Sequence, residues 1–152
     1  HYLGRSYRLL LAAEPRAADS PARLRLTGGR FVLPRAAQGR AAELFARWYA
    51  DHALAWLRRR VGQLAPRVGR EPSAVRVRDL GNRWGSCSAD GAVNFHWRVI
   101  RLPPPLIEYV AAHELVHLLE PRHDAAFWGR LERVLPDYRQ RKRLLAERGA
   151  CY

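Results

Sequence analysis

Between Leu24 and Leu33 apolar residues fall at alternate positions on both sides of Gly28-Gly29, with Leu24 and Leu26 before the pair and Phe31 and Leu33 after it. Period-two alternation around a two-glycine turn predicts a β-hairpin. The run Tyr7 to Leu11 predicts an earlier strand of the same sheet. From Ala36 to about Leu64 the period lengthens: Leu44, Phe45, Trp48, Trp56, Leu57, Val61 and Leu64 recur at spacings near three and four, as in one long helix laid across a sheet. After Gly69 to Pro72 the alternation returns in AVRVRDL. A second hairpin follows, NRWGSCS and AVNFHWRVI joined by Ala89-Asp90-Gly91, with Val93, Phe95 and Trp97 on one face and Asn94, His96 and Arg98 on the other.

Pro103-Pro104-Pro105 then opens a helix, because proline fits the first helical turn but not the interior, and LIEYVAAHELVHLL continues it. Asp124 is placed to cap the next helix, whose stripe is Phe127, Trp128, Leu131, Val134 and Leu135. A basic helix from about Tyr138 to Arg148 closes the pattern. The order implies one α+β domain over 1-152, a small antiparallel or mixed sheet packed against helices. With 152 residues the chain is long enough for one core and short for two.

Composition narrows the class. No run of about 18 apolar residues suggests a membrane span, and HYLGRSYR lacks a signal-peptide core, so a cytoplasmic location is the default expectation. Cys87 and Cys151 lie too far apart and too near one end to suggest a disulfide framework. The net charge of +13 raises nucleic acid as a partner. A compositional cause competes with it, since every basic residue but Lys142 is arginine in a chain rich in Ala, Leu and Gly. Weak, non-specific nucleic-acid binding is the expectation.

The chemistry concentrates in HELVHLLEPRH, His113 to His123. Four residues apart on a helix, His113 and His117 lie about 40° apart on one face, so both imidazoles can reach one ion. Glu114 falls beside that face, where a carboxylate can serve a water without being a ligand. A catalytic zinc takes three protein ligands and keeps one position open. His123 is the nearest third candidate, and Pro121 breaks the helix so that the chain can double back to bring it in.

RWGSCS, NFHWRVI, YVAAHELVHLLEPRHDAAFW and the closing PDY together resemble the YgjP-like domain of zinc metallopeptidases, a family related to SprT-like and WLM proteins; HYLGRSYRLLL resembles that family's start. The resemblance implies a zincin-like fold, one Zn2+ held by His113, His117 and His123, and Glu114 as the catalytic base of peptide hydrolysis. Zinc would lower the pKa of its water towards 7, and Glu114 would pass the proton from that water to the leaving amine. The histidine spacing equals that of metzincins, but Glu120 stands where their glycine would be, and without methionine there is no Met-turn.

Tyr138, His96 and Arg98 are candidates to stabilise the oxyanion, Tyr138 first, although a core tyrosine at a helix start is the favoured reading of Tyr138 itself. The strand Ala92 to Arg98 has two readings, an edge strand that pairs with substrate, with Asn94 and His96 facing the cleft, or an ordinary hairpin whose polar face is solvated. Gly85 is expected to permit a close backbone approach and Cys87 to be a small buried residue. The competing class is a nucleic-acid-associated module with a structural zinc, against which Glu114 argues, because a closed four-ligand site has no use for a carboxylate beside it. A third reading combines the two as a DNA-directed SprT-like peptidase.

Overall fold

The computed structural model describes residues 1–13 and 23–152. In chain order the elements are β1 (Arg8–Ala12), β2 (Arg25–Thr27), β3 (Arg30–Pro34), α1 (Ala41–Val68), β4 (Ala74–Arg78), β5 (Gly85–Cys87), β6 (Ala92–His96), α2 (Pro104–Val116), α3 (Ala125–Val134) and α4 (Tyr138–Arg148). Short 3-10 segments cover Arg35–Arg40, Trp97–Arg101 and Gly149–Cys151. This is an α+β fold.

The strands form two three-stranded mixed sheets rather than one. In the first, β3 lies between β1, parallel to it, and β2, antiparallel, with Thr27 opposite Arg30 across Gly28-Gly29. Both glycines have positive φ, 55° and 69°, as the tight hairpin turn requires. In the second sheet the order is β4-β6-β5: β6 runs parallel to β4 and antiparallel to β5.

The long helix begins at Ala41, five residues later than its apolar pattern suggests, because Arg35–Arg40 winds as a 3-10 turn first. It runs on to Val68 and stops at Gly69, which adopts φ 89° and donates its N–H to Ala65 O at 2.9 Å. Its stripe of Trp48, Ala53, Leu57, Val61 and Leu64 is buried, and it packs on α2, α3 and β4. Phe95, Ile100, Ile107, Leu115, Phe127 and Leu131 are fully enclosed in the same core. At ~1.5–3 kcal/mol for each such side chain, this burial is the main force holding α2 against the sheet.

Strand β6 is shorter than its alternation suggests. His96 Nδ1 accepts the Arg98 N–H at 3.0 Å, capping a 3-10 turn in place of two further ladder positions, so Trp97 and Arg98 leave the strand. All five residues of β6 are buried, as suits a strand paired on both edges. No helix among the described residues is long and apolar enough to cross a membrane.

Candidate metal centre

Helix α2 is built to end at the site. Pro104 and Pro105 start it, and Leu106, Ile107, Val110, Ala111, Leu115 and Val116 bury it on both flanks. His117 is its C-cap, and the last turn tightens, with Leu118 N–H on Leu115 O (3.1 Å) and Leu119 N–H on Val116 O (3.0 Å). The helix thus ends ahead of Pro121, which keeps it from resuming. Asp124 then caps α3, Oδ1 accepting from Ala126 N and Phe127 N at 3.1 and 3.2 Å. The eight-residue return between the two helices brings His123 back beside His113 and His117.

His123 Nε2 lies 2.9 Å from His113 Nε2 and 3.0 Å from His117 Nε2. The donor atoms of all three lie within 4.8 Å of one another. The tautomer of His117 is set by Glu120 O, 3.0 Å from Nδ1, which leaves the Nε2 lone pair aimed at the other two rings. Trp128 Nε1 donates to His123 O at 3.1 Å and stacks on its ring. Phe127 supports the whole group, its centroid 4.6 to 4.9 Å from each of the three imidazoles. Burial, then the neighbouring His117 and His123, pushes the His113 pKa down to about 3, so that ring is neutral.

Three imidazoles converging on one point fit a dication. Nitrogens about 2.0–2.1 Å from a tetrahedral zinc stand some 3.3 Å apart, slightly more than the two spacings to His123. Only three groups converge among the described residues. Glu120 is not a fourth, because its Oε1 accepts from Arg130 Nε and Nη2 at 3.2 and 3.1 Å. Cys87 lines the adjoining cavity with its thiol pKa raised, chiefly by burial, and does not join the group.

Glu114 is 7 % exposed and lines, with the three histidines, a cavity of about 590 Å³. A Cβ on Gly85 would meet Glu114 Cγ and Oε1 at 2.7 Å, so the carboxylate lies directly on the bare backbone of β5. Burial pushes its pKa up to about 8, against an opposing pull from Arg83. Arg83 and Arg70 line the same cavity. Neither was singled out by spacing.

Several expected residues are elsewhere. Strand β6 is central, and the edge beside the histidines is β5. Asn94 is fully buried, its Nδ2 reaching Ser86 O and Ser88 Oγ at 3.4 Å across the hairpin. His96 is 2 % exposed, with Nδ1 on Arg98 N–H and Nε2 3.2 Å from Asp79 Oδ1. Neither lines the metal cavity, and Arg98 does not either. Tyr138 is buried and stacked on Trp128, its hydroxyl accepting from Arg139 Nε at 3.1 Å; it stands behind the tryptophan rather than in the cavity wall. Trp84 packs against Gly149.

An α+β domain with a three-histidine cluster at the end of a buried helix defines the class of candidate metalloprotein. Residues 1–148 match the YgjP-like metallopeptidase domain, and the chain belongs to that family. Among solved structures it is similar to the crystal structure of the metallopeptidase zymogen of Pyrococcus abyssi abylysin. There the identity is 22 % and the TM-score 0.54, over 60 % of this chain and 93 % of the other. That likeness is one of fold. No curated protein matches the sequence.

Proposed function

We propose that the chain is a zinc-dependent peptidase in which His113, His117 and His123 hold one ion and Glu114 is the general base. The observation that carries this is the juxtaposition of three converging imidazoles with a buried carboxylate in one cavity. Zinc held there supplies the Lewis acidity that makes a water a competent nucleophile near neutral pH. Glu114 takes the proton as the water oxygen bonds to the peptide carbon, and gives it to the nitrogen as the C–N bond breaks. A carboxyl whose surroundings favour its protonated form suits the interval between those transfers. Arg83, whose charge already reaches Glu114, is placed to offset the charge developing on the carbonyl oxygen.

Among the described residues β5 pairs only with β6, so its other edge offers backbone donors and acceptors, and Ser86 and Cys87 line the metal cavity. An extended peptide laid on that edge would be held through its main chain, with little dependence on side chains. A structural metal site is the poorer reading, because such sites are closed by four protein ligands. Elemental analysis should find about one zinc per chain, and hydrolysis of an unfolded protein should vanish on chelation and return with zinc. Zinc-loaded protein that cleaves no peptide would refute the proposal.

A further inference from the structure

A second cavity, of about 600 Å³, adjoins the first at Arg83, which lines both. One stretch of backbone serves the two: Gly81 to Trp84 line the second cavity, and Gly85 to Ala89 line the first. Three arginines line the second, Arg83, Arg98 and Arg101, with Trp84, His96 and Tyr152, and the Arg98 guanidinium lies over the Trp97 ring, 5.0 Å from its centroid. No acidic residue lines it. Arg83, Arg98 and Arg101, like most arginines of the chain, have no carboxylate within 4.0 Å among the described residues; what sets these three apart is that they line one cavity together. Asp79, whose charge reaches Arg98, is engaged by Gly81 N–H at 2.8 Å and by His96 Nε2.

We propose that this cavity is a subsite for a carboxylate of the peptide substrate, and the proposal rests on the peptidase reading above. Unpaired guanidinium forks match a carboxylate in charge and in planar geometry. Continuity along one backbone strip favours an extension of the same substrate over a separate ligand. At about 3.3 Å per residue, a strand paired along β5 passes Arg83 some two to four residues from the bond cleaved. Trp84 and Tyr152 give the acidic side chain's methylene stem an apolar wall. The carboxylate has two sources, an Asp or Glu side chain or the substrate's own C-terminus.

The test uses the zinc-loaded full chain and a set of otherwise neutral peptides, with one glutamate moved through each position near the cleaved bond and with the C-terminus free or amidated. One acidic placement should raise kcat/KM about tenfold over the neutral amide, the discrimination expected of one charge-assisted contact. Which peptide gains it identifies the source. The ratio should fall to about one in Arg98→Gln/Arg101→Gln and recover in Arg98→Lys/Arg101→Lys, which separates lost charge from lost structure. Dissociation constants on the Glu114→Gln background should show the same preference without turnover, so the subsite is read even where hydrolysis is not. A flat profile, or a preference that survives the double glutamine variant, would overturn the proposal. So would a single-stranded oligonucleotide that displaces the acidic peptide at lower concentration than the peptide itself binds, because the cavity would then belong to nucleic acid.

Discussion

Replacing Gly85 by alanine puts a methyl carbon 2.7 Å from Glu114 Cγ and Oε1 and 2.9 Å from Cδ. Taking ~3.5 Å as the closest comfortable carbon contact, the carboxylate must retreat by about 0.8 Å, or β5 must move away by as much. The side chain yields more easily than a paired strand, and Gly85 has no left-handed φ that alanine would strain. The fold should therefore survive while the base is displaced. Misplacement of a reacting group by about 1 Å costs on the order of 10²-fold, or roughly 2.7 kcal/mol of transition-state stabilisation. Gly85→Ala should accordingly keep its zinc and a melting temperature near that of the parent, and lose about 10²-fold in kcat/KM. Metal content, thermal denaturation and peptide hydrolysis on one preparation check all three. Activity within twofold of the parent would refute the idea that this contact positions Glu114; loss of zinc as well would make Glu114 part of the metal shell.

His123→Ala should lose most of the zinc, whereas Glu120→Ala should retain it because that carboxylate serves Arg130; elemental analysis after dialysis decides, and full retention in His123→Ala would remove it from the ligand set. Phe127→Ala takes away the ring that backs all three imidazoles and should cost about 3–5 kcal/mol, read as denaturant midpoint, together with weaker zinc affinity. The pH dependence of the metal-free protein follows from two opposite shifts. A carboxyl raised to about 8, as at Glu114, contributes stability that is intact below its ordinary 4.5 and is lost as pH rises through about 8. An imidazole lowered to about 3, as at His113, costs stability as pH falls below 6.5, where only the unfolded chain is protonated. Melting temperatures measured with chelator should peak at about pH 5 to 6, and a monotonic rise with pH would contradict the assignment of Glu114 as buried and proton-binding.

The helices and the histidine group were legible because their causes are local. Spacings of three and four mark α1 and α2, Asp124 caps α3 where its side chain implies, and the approach of His123 needs only a helix end within three residues of His117. The order of the second sheet was not legible, because the parallel pairing of β4 with β6 joins residues on either side of β5, and alternation does not show which strand lies between two others. That hidden order moved the exposed edge from β6 to β5 and took Asn94 and His96 out of the cleft. The early end of β6 was likewise concealed, since the bond from Arg98 N–H to His96 Nδ1 competes with the ladder and leaves no mark in the hydrophobic pattern. Arg83 was lost among 27 basic residues, of which only Lys142 is lysine; the sequence carries nothing that tells an arginine in a cavity wall from one in solvent.

The central claim is that Glu114 acts on a proton while the three histidines hold the metal, and one variant separates those roles. Glu114→Gln preserves the side chain's shape and removes its ability to accept a proton. Zinc content and peptide hydrolysis, measured together on parent and variant, should show unchanged zinc and a loss of activity by about 10³-fold or more. Hydrolysis within tenfold of the parent with zinc in place would contradict the account.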